Sequence, residues 1–505
     1  METLGYLMQG FSIALTPTHL LLAFVGCFLG TIIGALPGLG PSNGVAILIP
    51  LAFTLGLDAT AALILLTSVY YGAMYGGRIS SILLNIPGDE PALMTTLDGY
   101  PMAKQGKAGE ALALSGVASF IGGFFATVGL VILAPILARV ALLFGPAEYF
   151  ALFTLAFATL GGIASRNQAK AAIAAMLGLG IAMIGIDGSS GTTRFTFGEM
   201  HLMEGIDFLV AIVGLFAIAE VLLFFEHGAG NTPVGMALGR ITVPLATLGK
   251  CTWTMIRSTV IGFLAGVLPG AGASLGSFLA YTLEKRASDR DGTFGNGDPR
   301  GVAAPEAGNN AAAGGALVPM LTLGVPGSGP TAVLLAMLMT LNITPGPLLF
   351  EQKPDVVWGL IAALFIGNAM LLVMNIPLVG LFVRVLTVPP HILMPAVAMV
   401  SFVGIYGISG SVFDLMLMVL FGVLGWICRK VDIPTVPIIL GILLGNQMEN
   451  NLRRALTISN GDWWILVESS LAKGLWAAAI LGFIAPLVIG KYLRPKVRHE
   501  DDLTD

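Results

Sequence analysis

Gly30-Thr31-Ile32-Ile33-Gly34-Ala35-Leu36-Pro37-Gly38-Leu39-Gly40-Pro41-Ser42-Asn43-Gly44 returns 232 residues later as Gly262-Phe263-Leu264-Ala265-Gly266-Val267-Leu268-Pro269-Gly270-Ala271-Gly272-Ala273-Ser274-Leu275-Gly276, with eight of fifteen positions identical. The chain is a duplication. Each copy follows a long apolar stretch and places Pro and Gly where a membrane helix has to break. A break frees backbone N–H and C=O groups inside a hydrophobic segment, which a bilayer tolerates only around a protein-lined cavity. Matched Gly/Pro interruptions in two halves of a chain point to the binding site of a secondary transporter.

The 505 residues are 56% hydrophobic and 11% charged, with a mean hydropathy of +0.88. This excludes an ordinary soluble protein and predicts an all-α polytopic membrane protein. With about 20 apolar residues needed per crossing, spans are expected near 15–36, 60–86, 111–139, 147–165, 169–186, 206–226, 253–269, 308–326, 356–386, 391–408, 412–428, 434–446 and 464–490, roughly 12 in all. Apolar pieces near 42–55, 91–103, 273–283 and 330–342 are too short to cross alone and read as discontinuous or re-entrant helices. No Lys or Arg precedes Arg78, so the start lacks the charged region of a cleavable signal peptide. Lys491, Arg494, Lys496 and Arg498 follow the last span and place the tail, 491–505, in the cytoplasm by the positive-inside bias, with residues 1–14 outside. Cys27, Cys251 and Cys428 lack pairing or metal spacing and read as small core residues.

A second match joins the halves. Leu84-Asn85-Ile86-Pro87-Gly88-Asp89-Glu90-Pro91 corresponds to Leu323-Gly324-Val325-Pro326-Gly327-Ser328-Gly329-Pro330 at an offset of 239. The seven extra residues fall in the polar stretch 284–306, which holds nine charged residues in 23 and reads as a solvated loop. Residues 1–226 form the first transmembrane repeat, 227–252 a connecting loop and 253–490 the second repeat. Charge placement makes the repeats inverted. After the first Pro-Gly motif, copy one (51–58) has no basic residue where copy two has Lys285, Arg286, Arg290 and Arg300; after the second, copy one has Lys104 and Lys107 where copy two (336–349) has none. Equivalent loops then face opposite sides of the membrane, the arrangement of alternating-access carriers.

The short helices opening with Pro41-Ser42-Asn43-Gly44 and Ala273-Ser274-Leu275-Gly276 would point their N-termini into the protein, where amides and helix dipole suit a carboxylate. Gly38, Gly40, Gly270 and Gly272 would let a ligand approach the backbone, and Ser42, Asn43 and Ser274 would add donors. The bland reading is that Ser and Asn cap these helices while the glycines allow close helix packing. At the second break, Pro326, Gly327, Ser328 and Thr331 give a neutral, donor-rich helix end suited to an anion. Pro87, Gly88, Asp89 and Glu90 carry acids that either cap their helix or help hold a cation, with carbonyls near Gly38, Gly270 and Gly327 completing a Na⁺ site. Pro91 and Pro330 suit a first helical position. Asn309 and Asn310, at the mouth of the span leading to Pro326, either hydrogen-bond a polycarboxylate or cap that helix. Arg78 is expensive in lipid and should face protein, water or an anion; pairing with Asp89 or Asp58 is the structural alternative. Asp187 and Asp414 read as turn or cap residues. Glu220, well inside an apolar run, serves either function or an interhelical bond.

No zinc, Walker or nucleophile-elbow motif occurs, and the five histidines are dispersed. A membrane-embedded enzyme is the rival in another class, disfavoured by the lack of a nucleophile with its base; a channel for small anions is the third option. No cofactor is expected, and no nucleic acid.

These residues resemble the large membrane subunit of the tripartite tricarboxylate transporter family, the TctA type, over nearly the whole chain. The resemblance rests on Leu36-Pro37-Gly38-Leu39-Gly40, Tyr75-Gly76-Gly77 to Ile86-Pro87-Gly88, Leu97-Asp98-Gly99-Tyr100-Pro101, Arg194-Phe195-Thr196-Phe197-Gly198, Ala304-Pro305-Glu306-Ala307-Gly308-Asn309-Asn310 and Gly324-Val325-Pro326-Gly327. A departure is Gly188-Ser189 after Asp187, where relatives would carry a proline-bearing turn. The resemblance implies a bacterial inner-membrane carrier that imports citrate or a related carboxylate, driven by an ion gradient; Na⁺ is the expected coupling ion. It also implies two partners, a small membrane subunit of the TctB type and a periplasmic binding protein of the TctC type.

Overall fold

The computed structural model describes residues 2–36, 38–162, 167–188, 190–227, 238–270, 272–386 and 390–493. A helix occupies the described part of every stretch expected as a span, and residues 163–165 of the fourth lie outside the described residues. Among the described residues six helices are long and apolar enough by themselves to cross a membrane: Pro17–Ala35, Ala59–Leu84, Leu93–Ala141 (kinked at Gly106, φ +79°), Phe208–Glu226, Pro354–Asn375 and Val412–Lys430. The fold is thus an all-α polytopic membrane protein, with one two-stranded hairpin among the described residues, Gly185–Ile186 against Thr193–Arg194.

The four short pieces appear where expected, as Gly40–Thr54, Leu93–Met102, Gly272–Ser288 and Gly329–Thr340. Other boundaries move. An additional helix, Glu2–Ala14, precedes the first span. The helix Leu245–Val267 begins inside the segment assigned to the connecting loop, and residues 228–237 of that segment lie outside the described residues. The polar stretch 284–306 is helical at both ends, because Gly272–Ser288 runs in from one side and Pro299–Leu323 starts from the other. Asp298 makes that early start by capping Arg300 N at 2.8 Å. The apolar stretch 356–386 divides into Pro354–Asn375 and Val379–Val385. Of the basic tail, residues 494–505 lie outside the described residues.

Packing follows the duplication. In the first half Pro17–Ala35 packs along Ala59–Leu84; in the second, Leu245–Val267 packs along Pro299–Leu323. Each half then leans on the other, as Ala108–Ala141 packs on Pro299–Leu323 and its counterpart Pro354–Asn375 packs on Ala59–Leu84. The two central helices run in opposite directions. The Tyr70 hydroxyl reaches the Ala313 carbonyl (3.4 Å) near the middle of both. Thr60, at the start of one, sits beside Gly359 of the second half. Asp98, beyond the end of the same helix, bonds the amide of Asp298, where the other begins. The basic turn Lys104–Lys107 and the loop 289–298 also share one side, joined by Gln105 Nε2 donating to Asn296 O at 2.9 Å.

Glycine sets the distance between these helices. A Cβ on Gly30 would lie 2.3 Å from Val69 O and one on Gly34 2.1 Å from Ala73 O; in the other half, one on Gly262 would lie 2.2 Å from Gly308 O and one on Gly266 2.2 Å from Ala312 O. The helices touch backbone to backbone, as small-residue stripes allow in a membrane. Gly262→Val should therefore destabilise the folded protein by about 3 kcal/mol or more, read as a lower unfolding midpoint in detergent. Gly180→Ala, where an added Cβ meets nothing within 4 Å, should leave it unchanged or slightly raised.

Candidate functional site

The two first breaks are built alike. Helix Pro17–Ala35 ends at Leu36 and helix Leu245–Val267 at Leu268, both caps extended. Gly38 and Gly40 then take φ +88° and +61°, and Gly270 and Gly272 take +77° and +65°. These left-handed values are strained for a residue with a side chain, so the motif needs glycine at those points. Pro37 and Ala271 lie outside the described residues. The second breaks match as well, because Asn85 (φ +58°) and Gly324 (φ +69°) end equivalent helices in the left-handed conformation.

The four breaks touch one another in a closed ring. Gly88 rests on the Gly34 carbonyl, where a Cβ would come within 2.4 Å, and Gly40 faces Asp89. The second break meets the third through Ser274 Oγ donating to Glu90 Oε2 (3.2 Å) and Ser277 Oγ donating to Pro91 O (2.7 Å). The third meets the fourth where Gly272 N donates to Gly327 O at 3.0 Å. The fourth returns to the first at Gly329, whose Cβ would stand 2.7 Å from Ser42 Oγ. Side chains and backbone from both halves thus meet in one continuous series of contacts.

Within the ring the expected residues differ in what they do. No side chain caps the Gly40–Thr54 helix. Asn43 instead sends Nδ2 toward Gly38 O (3.5 Å), and its buried Oδ1 has no partner. Ser274 donates to Glu90 Oε2. The capping alternative gives way at Asn43, whose amide turns back to Gly38 O. At the fourth break capping prevails: Ser328 and Thr331 form a capping box, their hydroxyls 3.1 Å apart. Asp89 Oδ1 accepts from Ala92 N (2.9 Å) while Oδ2 is buried without a partner. The helix after the second break starts at Leu93, so Pro91 precedes it by two residues and does not occupy its first position as expected; Pro330 does lie in the first turn of its helix.

Asn309 and Asn310 are not at a helix mouth. The helix begins at Pro299 with Asp298 as its cap, leaving both asparagines buried about three turns inside. The cause is the displaced start, and it removes their capping role. Arg78 is fully buried and forms no ion pair with Asp89 or Asp58; Asp58 caps its own helix at Ala61 N (2.8 Å). Glu220 pairs with Arg429 of a neighbouring helix, and its Oε1 stands 3.3 Å from where a Gly38 Cβ would be. Asp414 lies in the first turn of its helix, beneath the Ser411 cap. Asp187 closes the hairpin turn and bridges Arg194 (2.6 Å) and Arg453 (3.3 Å). Among the described residues no three His, Cys, Asp or Glu side chains converge as metal ligands.

Sequence reasoning gave no role to Asp98, although it stands in a quoted motif. Its Oδ1 accepts the amides of Gly295 (2.8 Å), Gly297 (2.9 Å) and Asp298 (2.8 Å), and Oδ2 accepts the Tyr281 hydroxyl (3.0 Å). Gly301 makes the room, since a Cβ there would collide with Oδ2 at 1.9 Å. A carboxylate collecting amides from a loop about 200 residues away has no signature in local spacing.

Long apolar helices with interrupted segments that touch one another define the class as a multi-pass membrane protein. The sequence profile of the tripartite tricarboxylate transporter TctA family matches residues 20–440, and the chain belongs to that family. It is similar to an Agrobacterium vitis protein named as an uncharacterized 52.8 kDa protein in the TAR-I ttuC' 3' region, at 39% identity over 505 residues, covering 99% of this chain and all of that one. A second Agrobacterium vitis protein, from the TAR-II ttuC' 3' region, is 39% identical over 244 residues, 48% of this chain and all of the relative. No solved structure matches.

Because Asp98 ties the helix after the second break to the polar loop of the other half, Asp98→Ala should leave three amides unpaired. Each loss is on the order of 1–3 kcal/mol. Amide exchange across 289–298 should accelerate at least about 100-fold, with Asp98→Asn intermediate; unaltered protection would show that the tie is not what orders the loop.

Proposed function

We propose that this chain is the large transmembrane subunit of a binding-protein-dependent secondary transporter that imports tricarboxylates of the citrate kind, or related carboxylates, across a bacterial inner membrane. A periplasmic binding protein delivers the substrate, a small membrane subunit completes the complex, and a Na⁺ gradient drives uptake. The observation that carries this reading is the closed ring of four breaks. Helix Gly40–Thr54 aims an N-terminus without a side-chain cap at the ring, so peptide amides and the helix dipole face a common point suited to a carboxylate. Carbonyls of Gly38 and Gly327 and the free Oδ2 of Asp89 supply oxygen ligands of the type a cation prefers.

The opposed course of the two central helices, and the shared side of the two basic segments, support an inverted repeat. Two like halves that cross in opposite directions can exchange conformations, so that the ring opens first to one face and then to the other. No covalent step is needed, only different affinity in the two states.

The test is uptake of radiolabelled citrate and succinate into vesicles holding the three-part system. Uptake should saturate and should require both Na⁺ and the binding protein; indifference to both would sink the coupled-carrier reading in favour of a channel. Ser42→Ala combined with Asn43→Ala removes two donors worth about 1 kcal/mol each and should raise the half-saturating substrate concentration roughly thirtyfold with membrane insertion intact.

A further inference from the structure

Behind the second break lies a buried polar cluster that the ring does not use. Arg78 has 0% exposure, and its Nε, Nη1 and Nη2 have no hydrogen-bond partner in the protein. Its guanidinium stands 5.0 Å from the Tyr75 ring centroid, and Gly116 makes room for it, since a Cβ there would lie 3.0 Å from Nη1. Glu306, also at 0% exposure, reaches the same helix one turn on, at Ser119, three residues beyond Gly116, yet no ion pair closes between it and Arg78. Glu306 is engaged elsewhere, as Oε1 accepts from Thr95 Oγ1 (2.6 Å) and Oε2 from Ser119 Oγ (2.9 Å). Three residues on, and so on the same helix face, Asn309 is buried with both Oδ1 and Nδ2 unpartnered.

A buried charge is normally paired and hydrogen-bonded, because desolvation is costly. Were Arg78 only a strut, Glu306 would close onto it; hydroxyl donors hold both its oxygens instead. The guanidinium keeps a planar fork of donors whose geometry matches a carboxylate, and an asparagine amide on the facing helix offers one donor more. We propose that Arg78 and Asn309 hold one carboxylate group of the transported anion in the occluded state, with Glu306 as the internal charge that balances Arg78 between transport events. This rests on the reading of the chain as a carboxylate carrier and adds to it the residues that grip the anion beyond the ring.

The experiment is binding of radiolabelled citrate to the purified full-length protein in detergent, with succinate, chloride and phosphate as competitors. Arg78→Gln and Asn309→Ala should each weaken citrate binding at least tenfold, Arg78→Lys should weaken it less, and succinate should compete far better than chloride or phosphate. Because neutralising Arg78 alone strands Glu306, the deciding variant is Arg78→Gln combined with Glu306→Gln, which removes both buried charges. It should unfold like the wild type and still fail to bind citrate. Wild-type affinity in that double variant, or in Arg78→Gln alone, would overturn the inference and leave Arg78 a structural counter-ion, while uptake by the wild-type complex would keep the carrier reading intact. Chloride or phosphate competing as well as succinate would overturn the carboxylate assignment. A wild type that neither binds nor transports citrate or succinate would overturn the carrier reading together with this one.

Discussion

Peptide groups released from a helix inside a bilayer have no water to bond, and that constraint organises the molecule. Each break needs partners at membrane depth, and the other breaks provide them. The amide of Gly272 finds the carbonyl of Gly327, and hydroxyls of Ser274 and Ser277 find Glu90 and the Pro91 carbonyl. Irregular backbone is affordable in this setting only when it is surrounded by protein, so the interruptions gather at one point. What satisfies the backbone also concentrates dipoles there, and the structural need and the binding chemistry have a common source.

Close approach of the helices is the second requirement. Glycines on Pro17–Ala35 and Leu245–Val267 bring each helix against its neighbour with main chains in contact. Lipid gives no hydrophobic drive for such pairing, so dispersion between closely fitted backbones has to supply it. Polar ties add specificity at the edges, as Asp98 binds the loop before Pro299 and Arg194 joins the hairpin to Glu449 (3.0 Å).

Much of this was legible because it depends on local chemistry. Pro and Gly in a repeated motif mark a break whatever surrounds them, and the four short helices fall where those residues place them. Apolar length located the spans for the same reason. Legibility failed where long-range partners decide. Charge density made 284–306 read as a loop, yet Asp298 caps a helix within it while Asp98, from the other half, holds the turn in front. Capping stood as an alternative for Asn309 and Asn310 for want of that earlier start. Arg78 announced its expense, but only the fold reveals that Glu306 faces it without closing a pair.

The interleaving of the two halves bears on how the protein is made. Glu90 leaves the ribosome 184 residues before Ser274, the group that bonds it, a wait of about 10–40 s at ordinary elongation rates. Throughout that interval the nascent amino-terminal half holds unpaired peptide groups in or beside the translocation machinery. Biogenesis therefore has to shelter a half-finished core, and insertion factors that retain early segments until late ones arrive become part of what the duplicated architecture demands.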